Sequence, residues 1–119
     1  NIYLDKLSSL VDKVRVIKSS ENTISSYHLL ILNLNFKKLK INKDKFIKIL
    51  NENKIYPQYH YIPIYYFSYY NFLKRGQKFK CSEKYYESAI SMPIYYDLNT
   101  KNLMKIIKSV KDILSRYLK

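Results

Sequence analysis

One segment of the chain concentrates the side chains best suited to hold a polar ligand. It reads Gln58, Tyr59, His60 and Tyr61, and we call it the 58–61 segment. Its amide, imidazole and phenol groups can point toward a ligand while their apolar parts pack in a core. Pro57 and Pro63 flank it, and each proline fixes its own φ angle and pushes the preceding residue toward extended geometry. The sequence therefore predicts a rigid, non-helical segment that can form a wall of a binding site.

No catalytic constellation stands out elsewhere. The chain lacks a Gly-rich phosphate loop, a paired-Cys metal signature, and a Ser or Cys nucleophile beside an obvious base. His28 and His60 are the only histidines, too few for a metal site without nearby carboxylates. We interpret His28 as a structural residue of an apolar strand and Cys81 as a structural thiol. From the residues alone, we interpret His60 as a hydrogen-bonded strand residue rather than a ligand-binding one.

The formal net charge of +13 raises the question of a nucleic-acid partner, because clustered basic residues neutralise phosphates. The lysines are scattered, however, and only Arg15, Arg75 and Arg116 are arginine. Many tyrosines lie between Lys54 and Lys74, where no Lys or Arg occurs, and stacking side chains without cations bind a phosphate backbone poorly. Enrichment in Ile, Asn, Lys and Tyr, all with A/T-rich codons, explains the lysines equally well. We therefore expect no nucleic-acid partner.

The length of 119 residues predicts one domain, able to bury roughly two-thirds of its unfolded surface. The single cysteine, Cys81, cannot form an internal disulfide, and nothing indicates an oxidising compartment. Apolar runs are far shorter than the roughly 20 residues of a membrane helix, and no signal-peptide pattern opens the chain. These features predict a soluble, cytoplasmic protein without a membrane partner. The abrupt start without an initiator Met suggests the end of a longer protein.

Apolar spacing predicts the elements of the N-terminal half. Residues 1–14 show the pattern of an amphipathic helix, and a loop over residues 18–26 leads to a strand over residues 27–34. That strand is almost continuously apolar, so we expect it to be covered on both faces. Asn42 is expected to cap a helix over residues 43–51.

A second strand is predicted over residues 55–61, at a sheet edge or bulge because Pro57 cannot donate to a ladder. Residues 65–74 are ambiguous between a short helix and irregular structure. Gly76, the only glycine, is expected to end this region in a positive-φ conformation.

The C-terminal part should contain a third helix, a strand and a long helix. Ser82 is expected to cap a helix over residues 83–89, and residues 91–95 read as a short strand. Thr100 is expected to cap the last helix. Its apolar residues recur every three or four positions, namely Leu103, Ile106, Ile107, Val110, Ile113, Leu114 and Tyr117. The pattern predicts an α+β domain with a three-stranded, mainly antiparallel sheet and helices on one side.

Three motifs carry a resemblance to a known family. They are Ser25-Ser26-Tyr27-His28-Leu29, then Gln58-Tyr59-His60-Tyr61-Ile62-Pro63, then Ala89-Ile90-Ser91-Met92-Pro93-Ile94 followed by Leu98-Asn99. Their order and spacing resemble the C-terminal domain of the DegT/DnrJ/StrS aminotransferases over nearly the whole chain. Within that family the chain is most similar to the UDP-4-amino-4,6-dideoxy-N-acetyl-altrosamine transaminases, which aminate UDP-4-keto-6-deoxy-hexosamines on the way to pseudaminic acid.

The resemblance implies the small domain of a fold type I enzyme that depends on pyridoxal 5'-phosphate (PLP). Such enzymes are homodimers that move an amino group, usually from glutamate, to a nucleotide-linked keto-sugar. Their cofactor-binding lysine belongs to a large N-terminal domain, which we expect to lie outside this chain. No lysine here is assigned that role, no cofactor-binding residue is identified, and the chain alone is expected to be inactive.

The 58–61 segment matches the part of the family fold that borders the bound substrate. The resemblance therefore implies substrate binding by Gln58, Tyr59, His60 and Tyr61, whose groups suit sugar hydroxyls, a diphosphate or a sugar ring. The chain departs from the family at Tyr56, where a glycine is usual, and at residues 77–80, where a Gly-Asp-Phe-Pro-like sequence is usual. The alternatives to this reading are a basic nucleic-acid-binding module and a structural interaction domain, and in the latter the aromatic stretch would be fully buried.

Overall fold

The computed structural model describes residues 2–7, 14–17, 20–74 and 79–119. Its helices are α1 (Ile2–Leu7), α2 (Lys43–Glu52), α3 (Lys80–Ser88) and α4 (Thr100–Arg116), and its strands are β1 (Val14–Val16), β2 (Leu30–Leu34), β3 (Gln58–Tyr59) and β4 (Ala89–Met92). Short 3-10 helices cover Phe36–Lys38, Ile64–Tyr66 and Ser68–Lys74. The predicted α+β class is confirmed.

The sheet has four antiparallel strands in the order β1-β2-β4-β3, so the prediction of three strands is wrong. The missed strand is β1. Val14, which was predicted to end the first helix, instead begins β1 and lies opposite Leu34. A three-residue strand is too short for its alternation to be distinguished from helical spacing. Residues 8–13 of the predicted helix lie outside the described residues.

One face of the sheet forms the core. Leu30, Leu32 and Leu34 of β2 are buried, whereas Ile31 and Asn33 between them are only half-buried. The expectation that this strand is covered on both faces is therefore confirmed, although the second face is only partly covered. Helices α1, α2 and α4 contribute their apolar sides to the same core, with Leu7, Phe46, Leu50, Val110 and Leu114 among the most deeply buried side chains.

Helix α3 lies against the face of the sheet that points away from the core. The prediction that all helices lie on one side is therefore correct for α1, α2 and α4 and wrong for α3. It packs on β2, and its side chains line a cleft together with Arg15 and Asn33, which are directly opposed across β1 and β2. Because successive side chains of a strand point to opposite faces, Arg15 and Asn33 cannot share the face of Leu32 and Leu34. No residue of α3 belongs to the described core cluster.

Capping was predicted correctly at one helix and incorrectly at two. Asn42 caps α2, and its Oδ1 accepts a hydrogen bond from the Lys45 amide at 2.9 Å. Asn99 rather than Thr100 caps α4, because its Oδ1 reaches the Asn102 amide. Helix α3 begins at Lys80, ahead of the predicted cap Ser82. The predicted apolar side of α4 is buried in the core except for Tyr117, which is half-buried at the C-terminal cap.

Several predicted strand limits change. The strand predicted over residues 27–34 starts only at Leu30, because Tyr27 has a φ of 51° and breaks the extended backbone. The strand predicted over residues 91–95 ends at Met92, since Pro93 has no amide proton to continue a ladder. His28 precedes the strand and is exposed, so its predicted structural role within a strand is wrong. Gly76 lies outside the described residues.

Candidate functional site

The 58–61 segment enters the sheet at its edge, as Pro57 predicted. Helix α2 ends at Glu52, and Lys54 takes a left-handed conformation with a φ of 60° while the Ile55 amide bonds the Leu50 carbonyl at 3.0 Å. This turn redirects the chain toward β3. Only Gln58 and Tyr59 form ladder pairs, opposite Ser91 and Ile90 of β4. The predicted strand over residues 55–61 is therefore correct in position and too long.

His60 is held in place by groups from two other elements. Its Nδ1 shares a hydrogen bond of 3.0 Å with the hydroxyl of Ser91, which is almost fully buried on β4. Its ring and that of Tyr85 of α3 form a T-shaped pair with centroids 5.9 Å apart, and the ring of Tyr61 is tilted by 33° to the imidazole at a centroid distance of 4.2 Å. Because Nδ1 is occupied by Ser91, Nε2 is the ring nitrogen left to meet a ligand. The imidazole is thus fixed in orientation.

The surroundings keep this imidazole neutral. Burial lowers the pKa of His60 below its ordinary value of 6.5, and the positive charge of Lys43 lowers it further. Both effects disfavour the charged form. At neutral pH His60 therefore offers one donor and one acceptor nitrogen, which suits hydroxyl groups of a neutral or anionic ligand.

Tyr59 points away from His60, toward helix α2. Its hydroxyl donates a hydrogen bond of 2.6 Å to Oδ1 of Asp44 in the first turn of that helix. This bond, assisted by burial, raises the pKa of Tyr59 to about 12. The bond ties the edge strand to the helix and occupies the phenol oxygen.

Lys43 fills the space behind Tyr59. Its side chain is only 9% exposed, its ammonium donates to the backbone carbonyl of Tyr86, and its Nζ lies 5.0 Å from the ring centroid of Tyr59 and 4.5 Å from that of Tyr86. Burial lowers the pKa of Lys43, partly offset by Asp44. The ammonium also supplies a positive charge to a carbonyl of the last turn of α3, where such a charge is favourable. Lys43 therefore joins α2, β3 and α3.

The structure divides the four predicted site residues into two groups. Gln58 is exposed and is directly opposite Ser91, so it shares the face on which His60 bonds Ser91. The tilted ring of Tyr61 contacts His60, and Tyr61 is 65% exposed. These three lie together, whereas Tyr59 is turned to the other side and engaged with Asp44.

The aromatic stretch around the segment faces solvent. Large exposed side chains include Tyr56, Tyr61, Ile62, Ile64, Phe67, Tyr69 and Phe72. Only Tyr65 among the tyrosines of this stretch is buried, and its ring stacks on Phe79 with centroids 4.6 Å apart. The full burial expected of a purely structural domain is therefore absent from this stretch, whose residues all belong to the described part of the chain.

Sequence reasoning missed the residues that support the segment. Ser91 was placed in a strand, and Lys43, Asp44 and Tyr85 were placed in helices. No sequence signal could have found them as partners of residues 58–61, because they contact the segment only after β3, β4, α2 and α3 have come together.

Comparison with known proteins identifies a family. A family model described as the DegT/DnrJ/EryC1/StrS aminotransferase family matches residues 1–111. An uncharacterised protein of Methanocaldococcus jannaschii is 34% identical over 92 residues, a match that covers 76% of this chain and 24% of that protein.

Solved structures agree in fold. The Helicobacter pylori aminotransferase involved in the biosynthesis of pseudoaminic acid superposes with a TM-score of 0.85 at 24% identity, over 97% of this chain and 30% of that one. An aminotransferase of Streptoalloteichus hindustanus gives 0.80 at 20% identity over 97% of this chain and 30% of that one. The PLP form of a putative sugar aminotransferase of Streptococcus pneumoniae superposes with a TM-score of 0.76 at 22% identity, over 99% of this chain and 31% of that one. The chain thus spans less than a third of the length of these proteins.

The groups around the 58–61 segment do not by themselves fit PLP, which needs a lysine for covalent attachment and a carboxylate for its ring nitrogen. Lys43 is buried and bonded to the Tyr86 carbonyl, and Asp44 accepts the Tyr59 hydroxyl. Both are engaged within the protein. Within the described ranges, no cluster of His, Cys, Asp and Glu is arranged to bind a metal ion, and none of the helices has the length and apolar character to cross a bilayer.

Proposed function

Since the chain belongs to the DegT/DnrJ/EryC1/StrS aminotransferase family, we propose that it is the substrate-side domain of a PLP-dependent aminotransferase that acts on a nucleotide-linked 4-keto-6-deoxy sugar. The observation that carries the proposal is the neutral imidazole of His60, fixed by Ser91 at an open sheet edge beside exposed Tyr61. A fixed neutral imidazole and an exposed phenol ring suit recognition of a sugar, because they combine hydrogen bonding with a flat apolar surface.

The residues of the segment have distinct parts in this proposal. Gln58 and His60 hydrogen-bond hydroxyl or phosphate oxygens of the sugar nucleotide, and Tyr61 flanks a ring. Tyr59 supports the other three residues from the opposite face of the strand, because its hydrogen bond to Asp44 holds the edge strand in position. The substrate class that we favour is a UDP-linked keto-sugar of the pseudaminic acid route, in agreement with the fold shared with the Helicobacter pylori enzyme.

The rest of the active site belongs, in this proposal, to a part of a longer protein that the present sequence does not contain. That part would hold PLP, which when bound supplies the electron sink for moving an amino group from the donor to the keto-sugar. The 58–61 segment and the exposed aromatic stretch beside it would then form one side of the closed site, and the full enzyme would act as a cytoplasmic homodimer. The chain alone would be inactive.

The experiment is an amide NMR titration of this chain with UDP-N-acetylglucosamine. Saturable shifts are expected at residues 58–61 and at Ser91, and His60→Gln should abolish them. The matched control is His28→Gln, because His28 is the other histidine, lies outside the 58–61 segment and is exposed. Shifts that are equal in both variants, or absent from the segment, would contradict the proposal. Tight and steeply salt-dependent binding of an oligonucleotide would instead favour a nucleic-acid module.

A further inference from the structure

A concave site lies between helix α3, the outer face of the sheet and the turn that follows β2. It encloses about 650 Å³, within the range of about 300–1,000 Å³ that is typical of small-molecule sites. Arg15 and Asn33 line it from β1 and β2, and Lys37 lines it from the 3-10 turn. None of the residues of the 58–61 segment lines it.

Helix α3 presents one face to this cleft. Lys80, Glu83, Lys84 and Glu87 all line it, and their spacing of three and four residues places them on the same side of the helix. Lys80 and Lys84 are like charges one turn apart, which repel each other. Lys80 lies in the first turn of the helix, where the dipole is also unfavourable for a cation. Glu83 and Glu87 follow Lys80 and Lys84 by three residues each and partly offset this repulsion, so the face carries charges of both signs.

The charge of the lining is positive. Arg15, Lys37, Lys80 and Lys84 are exposed, and they outnumber the two carboxylates of Glu83 and Glu87 in the same lining. Glu83 also accepts from the hydroxyl of Tyr66 at 3.4 Å. The cations come from three elements, β1, the 3-10 turn and α3, and so approach the cleft from different directions.

From this arrangement we propose that the cleft binds a small soluble phosphorylated molecule carrying a diphosphate. A diphosphate presents many acceptor oxygens in several directions, which matches cations on separate walls, and the planar guanidinium of Arg15 can bond two of those oxygens at once. The amide of Asn33 provides a further polar group beside Arg15 for the rest of the ligand. The cleft is separate from the 58–61 segment. If it does not bind a diphosphate, the proposed function is therefore unaffected.

The test is isothermal titration of the protein with inorganic pyrophosphate, repeated with succinate as an anion that lacks phosphate. The cleft variant combines Arg15→Gln with Lys84→Gln. The control combines Lys45→Gln with Lys48→Gln, which removes the same charge from exposed positions on α2 outside the cleft. Dispersion of the amide NMR spectrum and the midpoint of urea unfolding establish that each variant is folded.

Wild type and control are expected to bind pyrophosphate within about threefold of each other, and the cleft variant at least about tenfold more weakly, because two charged hydrogen bonds are lost. Succinate should bind more weakly than pyrophosphate. Equal weakening in the two variants would show only diffuse attraction to a basic protein and overturn the proposal. Equal binding of succinate, or no saturable binding of pyrophosphate below about 10 mM, would overturn it as well.

Discussion

Removing the carboxylate of Asp44 tests how the 58–61 segment is anchored. A hydrogen bond to a charged group contributes about 1.5–3 kcal/mol to stability, but Tyr59 is 40% exposed, so screening by solvent reduces the expected value to about 1 kcal/mol. Asp44 also lies in the first turn of α2, where a negative charge gains about 0.3–1 kcal/mol from the helix dipole. We expect Asp44→Ala to lower the free energy of unfolding by about 1.5 kcal/mol.

A double-mutant cycle separates the two contributions. Tyr59→Phe removes the hydrogen bond and leaves the dipole interaction, so Asp44→Ala should be much less destabilising in the Tyr59→Phe background. The expected coupling energy is about 1 kcal/mol, measured by urea unfolding of wild type, both single variants and the double variant. A coupling energy below about 0.3 kcal/mol would refute the anchoring role of this bond.

The pH dependence of the same variants gives an independent check. The pKa of Tyr59 rises from 10.0 to about 12 in the folded protein, chiefly through the bond to Asp44. A raised pKa means that the folded state holds its proton more tightly than the unfolded state. The contribution of Tyr59 is therefore fully present below pH 10 and is lost as the pH rises toward 12, a loss that Tyr59→Phe should remove.

Two further predictions concern the imidazole and the core. His60 should titrate below pH 6.5 in two-dimensional NMR, and Lys43→Met should raise the pKa of His60 toward its ordinary value. The stability of wild type should accordingly fall as the pH drops below 6.5, and a His60 midpoint at or above 6.5 would contradict the neutral imidazole. Leu114→Ala should destabilise the protein by about 2–5 kcal/mol, because Leu114 is only 1% exposed. Met104→Ala, on the same helix at 42% exposure, should cost less than about 1 kcal/mol in urea unfolding, and equal losses would show that the packing of α4 is misassigned.

Local patterns were most informative where one interaction dominates. The terminal helix was recognised because burial on one side imposes a spacing of three and four apolar residues over its whole length. Pro57 indicated a sheet edge because it has no amide proton, and β3 does form the edge. The cap at Asn42 was found from its side chain alone, whereas Thr100 was chosen over its neighbour Asn99 because both residues can cap a helix.

Short elements were predicted less well. Strand β1 has three residues, and Val14 continues a helical spacing as well as it fits a strand, so only its pairing with Leu34 decides the matter. The apolar run of β2 indicated that both of its faces are covered, but nothing in the sequence identified α3 as the element that covers the face of Asn33.

The sequence by itself determined the composition of the 58–61 segment, its extended geometry between two prolines and the family that it resembles, because these depend on residue type and spacing along the chain. Tertiary structure alone decided what each side chain meets. Successive residues of an edge strand point to opposite faces, so Tyr59 reaches Asp44 while His60 reaches Ser91. Those partners lie 15 and 31 positions away in the chain, and only the packing of α2 and β4 around the edge strand brings them within hydrogen-bonding distance.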